Sequence, residues 1–111
     1  MPTWEYKGKQ YELDEDGFLQ DWEGWEEGMA EEMAKKDGVV LGEEHWKVLR
    51  YLRDYFIKYQ VAAPIKMLVK EMAKMLGPEK GKTKYIYELF PGGPAMMACR
   101  YAGLPKPTGC V

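Results

Sequence analysis

Chain breaks set the scale of any fold this sequence can adopt. Gly77-Pro78 and Pro91-Gly92-Gly93-Pro94 interrupt the second half of the chain, and Gly42 and Pro64 bracket its longest periodic stretch. Proline inside a helix removes a hydrogen bond and clashes with the turn before it, so a helix stops at each of these points. Between the breaks, apolar residues recur at three- and four-residue spacing, the helical period. Trp46, Leu49, Leu52, Phe56 and Ile57 form one stripe over about 43–60, opened by Gly42-Glu43-Glu44, where acids suit the helix dipole. Ile65, Leu68, Val69, Met72 and Leu76 form a second over about 64–76, with Pro64 in its first turn. Short helices follow around 83–90 (Tyr85, Ile86, Leu89, Phe90) and 94–102 (Met96, Met97, Cys99).

Upstream, Trp22, Trp25, Met29 and Met33 suggest a helix over 21–36, weakened by Gly24 and Gly28 and ended by Asp37-Gly38. The alternating runs Trp4–Lys7 and Gln10–Leu13 flank Gly8-Lys9 and read as a tight hairpin; Asp14-Glu15-Asp16-Gly17 reads as a second turn. The expected fold is mainly α with minor β. It is an orthogonal helical bundle with a helix-turn-helix-like core, a small N-terminal β-hairpin and a C-terminal arm. Residues 1–102 form the domain and 103–111 the arm, because G-L-P-K-P-T-G-C-V cannot sustain regular structure.

Charge is unevenly spread. Residues 1–45 carry 14 acids and 4 bases, whereas 46–111 carry 4 acids and 12 bases. Such halves either pair with each other or mark an interaction surface. Lys66, Lys70 and Lys74 fall at i, i+4 spacing on one helix, as a solvated face or a docking surface for an acidic partner. The start M-P-T-W-E-Y-K has no apolar run, and no stretch approaches the roughly 18 apolar residues of a membrane span, so a cytoplasmic protein with no direct membrane insertion is expected.

Two cysteines, Cys99 and Cys110, are too few for a disulfide scaffold or an iron–sulfur cluster, and with only His45 to join them a metal site is not expected. His45 reads as structural. What remains is redox or sulfur chemistry, or two inert thiols. Cys110, penultimate on a proline- and glycine-rich segment, has little to be buried in, which makes it the candidate reactive thiol. The Val111 carboxylate beside it disfavours a thiolate, and Lys106 or Arg100 would offset that. Cys99, ten residues upstream of the intervening loop's end, is either core or the thiol that resolves a sulfur-bearing Cys110. Arg53 lies on the apolar side of its helix, either snorkelling or salt-bridged, or positioning the arm.

The run Y-E-L-F-P-G-G-P-A-M-M-A-C-R-Y-A-G-L-P-K-P-T-G-C-V (87–111), with D-E-D-G-F-L (14–19), E-E-H-W-K (43–47) and R-Y-L-R-D-Y (50–55), resembles the DsrC/TusE family over essentially the whole chain. The segment 71–84 is longer than in compact members. Members with only the penultimate cysteine resemble persulfide relays for tRNA thiolation. Members with both resemble the gamma subunit of dissimilatory sulfite reductase, and this chain has both. The resemblance implies a sulfur carrier that is not an enzyme on its own but a dissociable co-substrate of the αβ reductase. Sulfur from sulfite is accepted on Cys110, and Cys99 then closes a Cys99–Cys110 trisulfide. A membrane-bound complex with a heterodisulfide-reductase-like subunit reduces that species. The resemblance further implies that sirohaem and iron–sulfur clusters belong to the partner, so that no cofactor is expected on this chain. No nucleic-acid partner is expected, although a helix-turn-helix DNA-binding role is the alternative from a different class.

Overall fold

The computed structural model describes residues 2–106. Strands β1 (Thr3–Tyr6) and β2 (Lys9–Glu12) pair antiparallel, with Trp4 opposite Tyr11 and Tyr6 opposite Lys9. The hairpin turn is Lys7-Gly8, one residue earlier than the sequence suggested. Both residues have positive φ, 51° and 82°, as a two-residue turn matched to strand twist requires. Asp14 then closes the second turn: its carboxylate accepts from the amides of Asp16 and Phe18, each at 2.9 Å.

Among the described residues, five α-helices follow: α1 (Glu27–Lys36), α2 (Glu43–Tyr59), α3 (Ile65–Leu76), α4 (Thr83–Leu89) and α5 (Pro94–Tyr101). The single helix expected over 21–36 is instead two pieces. A 3₁₀ turn at Trp22–Gly24 is separated from α1 by extended residues Trp25 and Glu26. The break turns Trp22 edge-on to Phe56, ring centroids 5.3 Å apart, and swings Trp25 towards the end of α5. Gly28 lets the hairpin approach α1, since a Cβ there would lie 2.1 Å from the Tyr6 hydroxyl.

The buried face of α2 is Val48, Leu49 and Leu52. Ile57, expected inside, is 52% exposed. At roughly 100° per residue it lies only about 20° from Arg50, on the solvent side of the stripe. In α3, Leu68 and Met72 are buried, as their period predicts; Pro64 stands just before the helix rather than within it. Helix α5 packs against α1, α2 and α4, with Met97, Ala98, Cys99 and Tyr101 buried. Among the described residues, no helix is long and apolar enough to cross a membrane.

The two oppositely charged halves do pair within the molecule. Arg50–Glu27, Lys80–Glu44, Arg100–Asp37 and Lys106–Asp16 each join a base of the second half to an acid of the first. Exposed pairs like Arg50–Glu27 contribute only about 0–1 kcal/mol each, so their value is more in orientation than in stability.

Candidate functional site

Helix α5 positions the described part of the site. Pro94 occupies its first turn, where its missing N–H costs nothing, and Gly93, at φ +112°, delivers the chain to it. Four side chains in the next turns, Met97, Ala98, Cys99 and Tyr101, are buried because α5 lies between α1, α2 and α4.

Cys99 is 2% exposed and packs in the main core. Desolvation pushes its thiol up to about 12 from an ordinary 9.0, since no neighbour compensates the charge of a buried thiolate. The sequence reading needs Cys99 at the surface to meet Cys110; in this conformation it is not there. Cys110 lies outside the described residues.

The three basic candidates take different partners. Arg100 pairs with Asp37, which also accepts from the Tyr101 hydroxyl at 2.6 Å. Burial, then Asp37, push the Tyr101 phenol well above its usual range, so it stays a donor. Lys106 pairs with Asp16 at 2.7 Å; that bond is the first reason its ammonium holds its proton more tightly than usual. Both bases are therefore engaged by carboxylates of the first half.

Arg53 neither snorkels nor forms a salt bridge among the described residues. Its Nη1 donates to the carbonyl of Ala102 at 2.7 Å and its Nη2 to that of Trp22 at 2.9 Å, and the guanidinium stacks over the Trp25 ring at 4.3 Å. Desolvation draws its pKa down. Arg53 thus reaches the chain just after α5, where the segment bearing Cys110 begins. Gly103 and Leu104, the first residues assigned to the arm, are buried, Leu104 to 1% exposure.

Sequence reasoning missed Trp25, whose indole N–H donates to the Tyr101 carbonyl at 2.8 Å, and Asp37, the acceptor for Arg100 and Tyr101. Neither carries a local signal: Trp25 reads as one more apolar period residue and Asp37 as a helix stop. Beside α5, Asp16, Phe18, Val39, Met96, Met97 and Arg100 help to line an open groove. Among the described residues, no three His, Cys, Asp or Glu side chains converge on a possible metal site.

His45 joins two helix ends. Its Nδ1 accepts from the Gly42 amide at 3.1 Å, so Nε2 carries the proton and donates to the Leu89 carbonyl at 2.9 Å. The three α3 lysines, Lys66, Lys70 and Lys74, are exposed beside Met67 and have no ion-pair partner among the described residues.

The family model for DsrC-like proteins matches residues 5–111. The sulfurtransferase TusE of Escherichia coli (strain K12) is 43% identical over 106 residues, 96% of this chain and 97% of that protein. Among solved structures, the oxidized gamma-subunit of the dissimilatory sulfite reductase (DsrC) from Archaeoglobus fulgidus superposes with a TM-score of 0.90 at 60% identity, covering 99% of this chain and all of that one. Allochromatium vinosum DsrC gives 0.86 at 52% identity, covering 98% and 97%.

Proposed function

The chain belongs to the DsrC-like family of sulfur-carrier proteins, and from that membership we propose that it serves a dissimilatory sulfite reductase as its dissociable gamma subunit, with Cys110 as the loaded thiol and Cys99 as the resolving one. The observation that carries this reading is the pair of cysteines, Cys99 and Cys110, inside a chain 60% identical to a reductase gamma subunit over its whole length.

The proposed chemistry balances as follows. Sulfite accepts two electrons from the reductase and two more from the thiols of Cys99 and Cys110. Four protons from solution and the two thiol protons leave with its three oxygens as water. The remaining sulfur, at oxidation level zero, bridges the two cysteines as a trisulfide. Four further electrons and four protons from a membrane-bound electron-transfer complex then release hydrogen sulfide and restore both thiols. The sirohaem and clusters that feed the first step belong to the reductase. An oxidative metabolism would run the same carrier in the opposite direction.

Within this chain, the buried state of Cys99 gives the cycle an order. Its thiol is protonated and covered, so it does not compete with Cys110 for the incoming sulfur. Resolution requires the end of α5 to uncover it. Arg100 and Lys106 leave Asp37 and Asp16 if they are to stabilise a thiolate on Cys110.

A second reading, a persulfide relay for tRNA thiolation, is favoured by the 43% identity to TusE. It shares Cys110 and has no use for Cys99. Loading Cys99→Ala separates the two: the reductase carrier forms no trisulfide in this variant, whereas a relay passes sulfur on at the wild-type rate. Wild-type turnover by Cys99→Ala would therefore overturn the two-cysteine cycle.

A further inference from the structure

A helix leaves its last four carbonyls without partners inside the helix, and at most protein surfaces water takes them. At the end of α5 the protein supplies a partner for each of four consecutive carbonyls. Cys99 accepts from the Leu104 amide at 3.0 Å and Arg100 from the Gly103 amide at 3.1 Å, a closure made by Gly103 at φ +70°. Tyr101 accepts from the Trp25 indole at 2.8 Å and Ala102 from Arg53 at 2.7 Å, donors 76 and 49 residues away in sequence.

These parts fit one another. A Cβ on Gly103 would lie 2.2 Å from Cδ1 of Trp25, so the indole closes down only on glycine. The guanidinium lies over the other partner of that contact, 4.3 Å from the Trp25 ring, and its second arm holds the Trp22 carbonyl. The planar fork of arginine spans two carbonyls at once, a geometry lysine lacks. Leu104, buried to 1%, completes the root.

We propose that Trp25 and Arg53 are positioning residues that fix where the chain leaves the body after Leu104, and so aim the segment carrying Cys110. The proposal builds on the carrier reading above. With the root held at Leu104, the six residues from Pro105 to Cys110 reach at most about 20 Å, at roughly 3.3 Å each. A short tether with a fixed origin and direction confines the thiol to a small volume and raises its effective concentration at a partner's site. The entropy of orienting the segment is then spent in folding rather than in docking.

The test uses Trp25→Phe, which keeps an aromatic and loses the indole donor, and Arg53→Lys, which keeps charge and loses the fork. Spin labels on Cys110 and on Lys9→Cys, in a Cys99→Ala background, report the distance distribution between the arm and the hairpin. The proposal expects broader distributions in both variants than in the parent. With both cysteines restored, it expects a severalfold rise in the carrier concentration that half-saturates sulfur loading by a dissimilatory sulfite reductase. The maximal rate and the iodoacetamide alkylation rate of Cys110 should stay unchanged, which a general loss of stability would not produce. Should Trp25→Phe fail to fold, Arg53→Lys decides alone. Unchanged distance distributions overturn the clamp. Wild-type half-saturation, where the parent is loaded, overturns its positioning role. No sulfur on the parent's Cys110 overturns the carrier reading while the distances still judge the clamp.

Discussion

The burial of Cys99 makes a quantitative prediction about its reactivity. At pH 8 a thiol with the ordinary value of 9.0 is about one-tenth ionised, and one at about 12 is ionised to about 10⁻⁴, a deficit of about a thousandfold. Nucleophilicity rises with basicity, with a Brønsted slope of about 0.4–0.5, which returns a factor of about 16–32. Ionisation alone therefore slows Cys99 by about 30- to 60-fold, and the cover over its sulfur adds to that. The assay is iodoacetamide alkylation followed by peptide mapping, on native protein and on protein unfolded in urea. Native Cys99 should react at least about 30-fold more slowly at pH 8. Its rate should keep rising about tenfold per pH unit beyond pH 9, where the unfolded thiol levels off. Equal rates, or a native plateau near pH 9, would show that Cys99 is already open and refute the ordered cycle. Linkage gives the same shift a second readout. The folded pKa lies above the unfolded one, so its stabilisation is fully present below pH 9 and is lost as pH rises towards 12. About 4 kcal/mol is at stake over that window, at 1.36 kcal/mol per unit.

Three further outcomes follow from the contacts described. Asp37→Ala strands the buried Tyr101 hydroxyl and releases Arg100, so urea unfolding should show a loss of about 1–3 kcal/mol; an unchanged midpoint would mean that water replaces the carboxylate. His45→Ala removes both the Gly42 and Leu89 bonds, and thermal unfolding should report a loss of about 1–2 kcal/mol; no loss would mean that the two helix ends do not depend on the ring. Reversing Lys66, Lys70 and Lys74 to Glu should weaken binding to the reductase and flatten its salt dependence if α3 is a docking face, and should change neither if the face is merely solvated; in the same assay, a salt-sensitive shift of DNA by the wild type would revive the helix-turn-helix reading.

Much of this was legible in the sequence because it depends on local chemistry. The α2 stripe apart from Ile57, the α3 stripe, the stops at Gly38 and Gly77, the entry to α5 at Gly93-Pro94 and the turn at Asp14 each follow from period or backbone preference. What escaped depends on distant partners. The break at Trp25 is held by contacts with Tyr101 and Arg53, far along the chain; Gly24 and Gly28 weaken a continuous helix over 21–36 but do not say where it breaks. Arg53 was visible as a charge on an apolar face, yet its partners are two carbonyls, which leave no sequence trace. Likewise, Gly103 and Leu104 read as the start of an arm from composition, and only Trp25 and the core explain why they are buried. The cysteines stood out by position, but the burial of Cys99 is a product of how α5 packs on its neighbours.

The most direct test of the carrier role is the intact mass of the reduced protein after incubation with a dissimilatory sulfite reductase, sulfite and limiting electrons. The account predicts a product that has gained one sulfur and lost two hydrogens, with peptide mapping placing that sulfur between Cys99 and Cys110. An unmodified mass, with the reductase demonstrably turning over, would contradict it.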